Sequence, residues 1–142
     1  MAAPTRLVAL LAALPLILGA CGQAAKDSAG DFRGDQRDVA QTVEDLQSFA
    51  RKGDAGKICT ELLAPNLVAR ITSSSKKPCD TALKDTIADA DAFELQVKKV
   101  TVSGDKASAV VVSQGGKKDR TDTLQLVRNR SAWKITTLGT PS

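Results

Sequence analysis

The chain contains no histidine and no tyrosine, and only one tryptophan, three phenylalanines and three cysteines. Without histidine, imidazole acid–base chemistry and imidazole metal ligation are excluded. Without tyrosine, the phenolic donors that many pockets use to polarise a carbonyl are missing as well. No charge run dominates either. The 20 basic and 16 acidic residues leave a net charge of +4, and the basic residues are scattered, so nothing here points to nucleic acid. What is present, 42% apolar and 25% charged residues over 142 positions, is the composition of one ordinary globular domain.

The organisation begins with an apolar run at 7–18, preceded by a single charge, Arg6, and followed by Gly19, Ala20 and Cys21. A bilayer-spanning helix needs roughly 20 apolar residues, so this shorter run, which carries Pro15, reads as a secretory signal. The sequence Leu18-Gly19-Ala20-Cys21 resembles the lipobox of bacterial lipoproteins. That resemblance implies cleavage before Cys21, attachment to its thiol of a diacylglyceryl group carrying palmitate-type fatty acyl chains, and residence on the extracytoplasmic face of the cell membrane. Two or more acyl chains suffice for stable anchoring where one is marginal. The alternative is an ordinary signal peptide cut after Ala20, leaving a free thiol.

Residues 22–34 mix Gly, Ala, Ser and Asp around Phe32 without an apolar period and read as a flexible tether, which gives boundaries of 1–20 for the signal, 21–34 for the anchored tether and 35–142 for the folded domain. Fully extended, the tether reaches at most about 45 Å.

Within the folded part, Val39, Val43, Leu46, Phe49 and Ala50 trace one stripe of a helix that Asp35 or Asp38 can cap and Gly53 can end. Asp54 offers a new N-cap for a second helix carrying Ile58, Cys59, Leu62 and Leu63, interrupted near Pro65 and continued by Leu67, Val68 and Ile71. Ser73, Ser74 and Ser75 read as loop. A third helix places Cys79, Leu83 and Ile87 on one face and runs to about Asp89. At about Asp91 the period changes from 3.6 to 2. Phe93, Leu95 and Val97 alternate with polar residues, and Val100 and Val102 continue in the opposite phase, which predicts a β-bulge at Lys98-Lys99. Ser103-Gly104-Asp105-Lys106 predicts a tight hairpin, residues 107–113 the return strand, 121–128 a third strand, and 132–138 a fourth after a turn at Asn129-Arg130-Ser131. Helices first and an antiparallel meander afterwards define an α+β fold.

The segment 35–139 resembles the NTF2-like cone fold. The resemblance rests on the helix followed by Lys52-Gly53-Asp54-Ala55, on Val-x-Val-x-Gly-Asp-x-Ala at 100–107, and on the final hairpin Leu126-Val127-Arg128-Asn129-Arg130-Ser131-Ala132-Trp133-Lys134-Ile135. It implies three N-terminal helices packed on a curved four-stranded antiparallel sheet, with Trp133 in the core, and a source among high-GC Gram-positive (actinobacterial) bacteria, where similar small lipoproteins are common. Such cones host isomerases and dehydratases that use an Asp base with Tyr or His; this chain has neither partner.

With Cys21 acylated, Cys59 and Cys79 remain, and an exported location is oxidising enough to join them. Two buried thiols, or half of a metal site, are the alternatives. No metal or cofactor site is expected. Glu94 and Asp122, the carboxylates inside strands, are expected to point outward, and Gly115-Gly116 reads as a turn. Lys98-Lys99, Lys117-Lys118-Arg120 and Arg128-Arg130 fall at bends and hairpin ends, where they protect sheet edges or meet anionic lipid. The expected function is a non-enzymatic module binding an envelope protein or a small apolar ligand, with a small-molecule enzyme of the isomerase or dehydratase type as the alternative. The candidate pocket lining is Phe49, Leu95, Val97, Val110, Val112, Leu124, Leu126, Trp133 and Ile135, which otherwise simply fill the core.

Overall fold

A computed structural model describes residues 28–88, 94–114 and 118–141. The signal, Cys21, the first part of the tether, Phe93 and Gly115-Gly116 lie outside the described residues. The described part begins with a 3₁₀ turn at Ala29–Asp31, followed by α1 at Asp35–Arg51. Helix α1 starts on Gly34 with no side-chain cap, and neither Asp35 nor Asp38 serves as its N-cap; both lie in its first turn, where their charge complements the helix dipole. It ends as its glycine predicts. Gly53 takes φ +69°, its N–H donates to the Ala50 carbonyl at 3.0 Å, and the Asp54 N–H reaches the Phe49 carbonyl at 2.9 Å, a Schellman closure.

The Asp54 carboxylate then accepts from the Lys57 N–H at 3.3 Å and starts α2, Ala55–Lys57, which runs on as a π-helical turn at Ile58–Leu62. Pro65 opens a separate helix, α3, at Pro65–Ser75, because its missing N–H costs nothing at the first helical position. Among the described residues the α-helices therefore number four, with α4 at Cys79–Thr86. Ser73, Ser74 and Ser75, expected as loop, are helical: Ser74 and Ser75 donate to the Arg70 and Ile71 carbonyls one turn back, at 2.5 and 2.7 Å.

Strands β1 (Glu94–Ser103), β2 (Lys106–Gln114), β3 (Arg120–Asn129) and β4 (Ala132–Pro141) form one antiparallel sheet in sequential order. The register slips between Val97 and Lys99, so the bulge lies where the phase change predicts. Two further irregularities bend β4 against β3, and they bring Gly139 at φ +88° close to Asp122, where an added Cβ would stand 3.3 Å from that residue's own. The hairpin at Ser103 and Lys106 has Gly104 at φ +57°. In the last hairpin, Arg130 adopts φ +58°, a conformation that crowds a Cβ. Arg130→Gly should therefore raise stability by about 0.5–1 kcal/mol after the extra chain entropy of glycine is deducted, read as a higher urea midpoint.

One sheet face carries the core. Val102, Ala107, Leu126 and Ile135 form one row across the strands, with Val100, Ala109 and Leu124 in the next. Val39 and Val43 of α1, Ile58 of the π-turn and Leu67 of α3 complete the same buried cluster. Both sheet edges are closed by bonds to the helical layer. On β1, the Leu95 N–H donates to Gln47 Oε1, the Val97 N–H to Ser28 Oγ at 3.2 Å, and Gln36 Nε2 donates to the Val100 carbonyl at 3.1 Å. On β4, the Ile135 carbonyl accepts from the Ala64 N–H at 2.8 Å and the Thr136 carbonyl from Arg70 at 2.5 Å. Unpaired strand groups invite another chain to add, and here side chains and loops occupy them instead.

This closure corrects one boundary: Ser28 and Ala29, expected in a free tether, are buried, and Glu44 of α1 accepts from the Ala29 N–H at 2.7 Å, so both belong to the fold.

Candidate functional site

Inward-facing rows grade from packed to polar along the strands. At the closed end, Trp133 and Ile135 are buried, with the Arg128 guanidinium stacked over the Trp133 ring at 4.6 Å and ion-paired with Asp35 at 2.5 Å. The Trp133 indole N–H is buried there without a hydrogen-bond partner among the described residues. At the other end of the sheet, the register sets Val97, Val111 and Asp122 in one row and Leu95, Ser113 and Arg120 in the next. Asp122 is 8% exposed, and Arg120 Nε stands 2.8 Å from its carboxylate while most of the arginine side chain reaches solvent.

The inward position of Asp122 corrects the expectation that it faces out. It shares the period-2 phase of Leu124 and Leu126, so it must share their face, and its charge is tolerated there because Arg120, two residues earlier on the same face, meets it. Glu94 lies in the outward phase with Gln96, as expected. Val110 and Val112 also need correction. They pair with Thr123 and Thr121 on the opposite face and are half-buried, while Ala107, Ala109 and Val111 point inward. Of the remaining candidate lining, Val97, Leu124, Leu126, Trp133 and Ile135 belong to the buried core, and Phe49 and Leu95 pack against it from the side.

Several surface clefts flank this body. One, of about 550 Å³, lies along the β4 side and is lined by Ala64, Pro65, Asn66, Lys106, Gln125 and Thr136 among others. Another, of about 280 Å³, lies between α1 and the start of β4, with Asp38, Asp45, Glu61 and Trp133 in its wall. Among the described residues, no group of three His, Cys, Asp or Glu side chains is placed to hold a metal ion, and no helix is long and apolar enough to cross a membrane. Cys59 and Cys79 are bonded, with their Cα atoms 6.1 Å apart, tying the π-turn to the first residue of α4.

The arrangement sets a fixed charge pair beside the apolar inward face. An arginine that holds a buried carboxylate at the rim of an apolar face gives a ligand one fixed charge pair to lie against, together with apolar surface.

No protein-family model matches the chain, and no curated protein is similar to it in sequence. Two solved structures resemble it. An NTF2-like protein of unknown function from Shewanella baltica OS155 superposes with a TM-score of 0.50 at 15% identity, over 74% of this chain and 93% of that one. A de novo designed NTF2 fold protein, NT-9, superposes with a TM-score of 0.52 at 12% identity, over 75% of this chain and 87% of that one. The chain thus has the NTF2-like fold, an α+β cone of helices over a curved antiparallel sheet. Identity at this level speaks for the fold alone.

Proposed function

We propose that this chain is an exported lipoprotein, held on the extracytoplasmic face of the cell membrane by acyl chains on Cys21, whose cone domain is a non-enzymatic module that binds an envelope protein or a small apolar ligand. The observation that carries the reading is the partition of three cysteines. Cys59 and Cys79 pair with each other, which suits an oxidising compartment, and the odd one, Cys21, stands directly after a signal-like apolar run. The inward carboxylate of Asp122 favours one second reading, a small-molecule enzyme of the isomerase or dehydratase type. Arg120 occupies that carboxylate, and the chain has no His or Tyr to share the proton work, so binding is the better account.

The test is Cys21→Ala in a bacterial host. Wild-type protein should fractionate with membranes and carry an acylated amino terminus by mass spectrometry, while the variant should leave the membrane fraction or accumulate uncleaved. Wild-type material with an unmodified terminus, or a variant that still fractionates with membranes, overturns the anchor.

A further inference from the structure

The bonds that fasten residues 28–36 to β1 also fix where the anchored end of the chain emerges. Ser28 accepts from the Val97 N–H and Gln36 donates to the Val100 carbonyl, so the Lys98-Lys99 bulge lies between the two fastenings. Both lysines are exposed, as are Arg33 and Arg37 on the fastened segment and its continuation into α1. None of these four cations has an ion pair among the described residues. Of the carboxylates on these elements, Glu44 holds the Ala29 N–H and Asp35 pairs with Arg128, which leaves Asp31 and Asp38 to offset two of the four charges.

We propose that this rim of Arg33, Arg37, Lys98 and Lys99 is a contact surface for anionic phospholipid headgroups, laying the β1 edge of the cone on the bilayer. The inference rests on the anchor reading above. Only residues 22–27 separate Cys21 from Ser28, and such a span extends no further than about 25 Å. An anchored domain on so short a leash meets the membrane at a high effective concentration, and screening confines the attraction to roughly 8 Å, so the basic rim is drawn inward only when it lies against the surface. The contact is one of charge and needs no insertion.

Full-length acylated protein is reconstituted into vesicles of phosphatidylcholine alone or with about 30% phosphatidylglycerol, labelled with a membrane-impermeant amine reagent, and digested for peptide mass spectrometry. Labelling of Lys98 and Lys99 should slow by about threefold or more in the anionic vesicles, should recover in about 0.5 M salt, and Lys76 and Lys77 on the α3–α4 loop should label alike in both. In Arg33→Gln/Arg37→Gln the protection should weaken while flotation with vesicles is unchanged. Equal labelling of Lys98 and Lys99 in protein that floats with both vesicle types overturns the contact and leaves the anchor standing, as does protection that ignores the arginine substitutions. Failure to float with either vesicle overturns the anchor, and the contact with it.

Discussion

Ile135→Ala is expected to cost roughly 2–5 kcal/mol of folding stability, while Val110→Ala, one strand face away, should cost about 1 kcal/mol or less. Ile135 is fully buried, faces Leu126 across the last hairpin, and sits at the residue whose carbonyl receives the Ala64 N–H where the helical layer joins the sheet. Truncation there removes methyl and methylene groups from a row roofed by α1, and the neighbours on three strands are held by their ladders, so the cavity closes only partly. Val110 lies on the opposite face, paired with Thr123, where its methyl groups already meet water and a shorter side chain leaves no void. Urea unfolding of the two variants measures the contrast directly. Equal losses would mean that β2 presents Val110 to the core, and the register described for the sheet would be wrong.

The same pair of residues shows where sequence patterning stops. Strand β1 announces its phase because apolar and polar residues alternate cleanly, and even its bulge can be placed from the point at which the alternation flips. In β2, Ala109, Val110, Val111 and Val112 follow one another without a polar residue, so over that run a period of two has nothing to register, and only Lys106 and Ser108 before it mark the phase. The face is decided by the partners on β1 and β3, and it is Ala107, Ala109 and Val111 that turn inward. Asp122 is the converse case, because its phase with Leu124 and Leu126 is explicit and only its charge argues for the outer face. Arg120 removes that objection, but the guanidinium can be credited only once both residues are known to share a face.

Helix ends were legible wherever one residue type carries the mechanism, as at Gly53, Asp54 and Pro65. The edge seal was not. Ser28 and Gln47 are unremarkable in a linear reading, since hydroxyl and amide groups have no periodic signature. Their role appears only when β1 arrives with unpaired N–H groups to be satisfied.

Removing the Cys59–Cys79 bond in the Cys59→Ala/Cys79→Ala variant should lower stability by roughly 3 kcal/mol, which for a domain of this size is a fall in melting temperature on the order of 10–20 °C. The separation of 20 residues sets the entropic part of that figure, because the bond closes a loop of that length in the unfolded chain. The loss should also be uneven. Helix α4 packs on α2, α3 and the π-turn, and the loop spanned by the bond contains the whole of α3, whereas the sheet holds itself together through three antiparallel ladders and the α1 face. Without the bond, α3 and α4 are retained by Leu67, Leu83 and the contacts at the start of α3, a small apolar area for two helices with exposed outer faces. Hydrogen exchange should therefore accelerate in α3 and α4 well before it does in β2 and β3, a local opening below the global one. Uniform acceleration would mean that the bond stabilises only through the unfolded chain. Coincident melting of the variant and the oxidised wild type would mean that the bond contributes nothing to the fold.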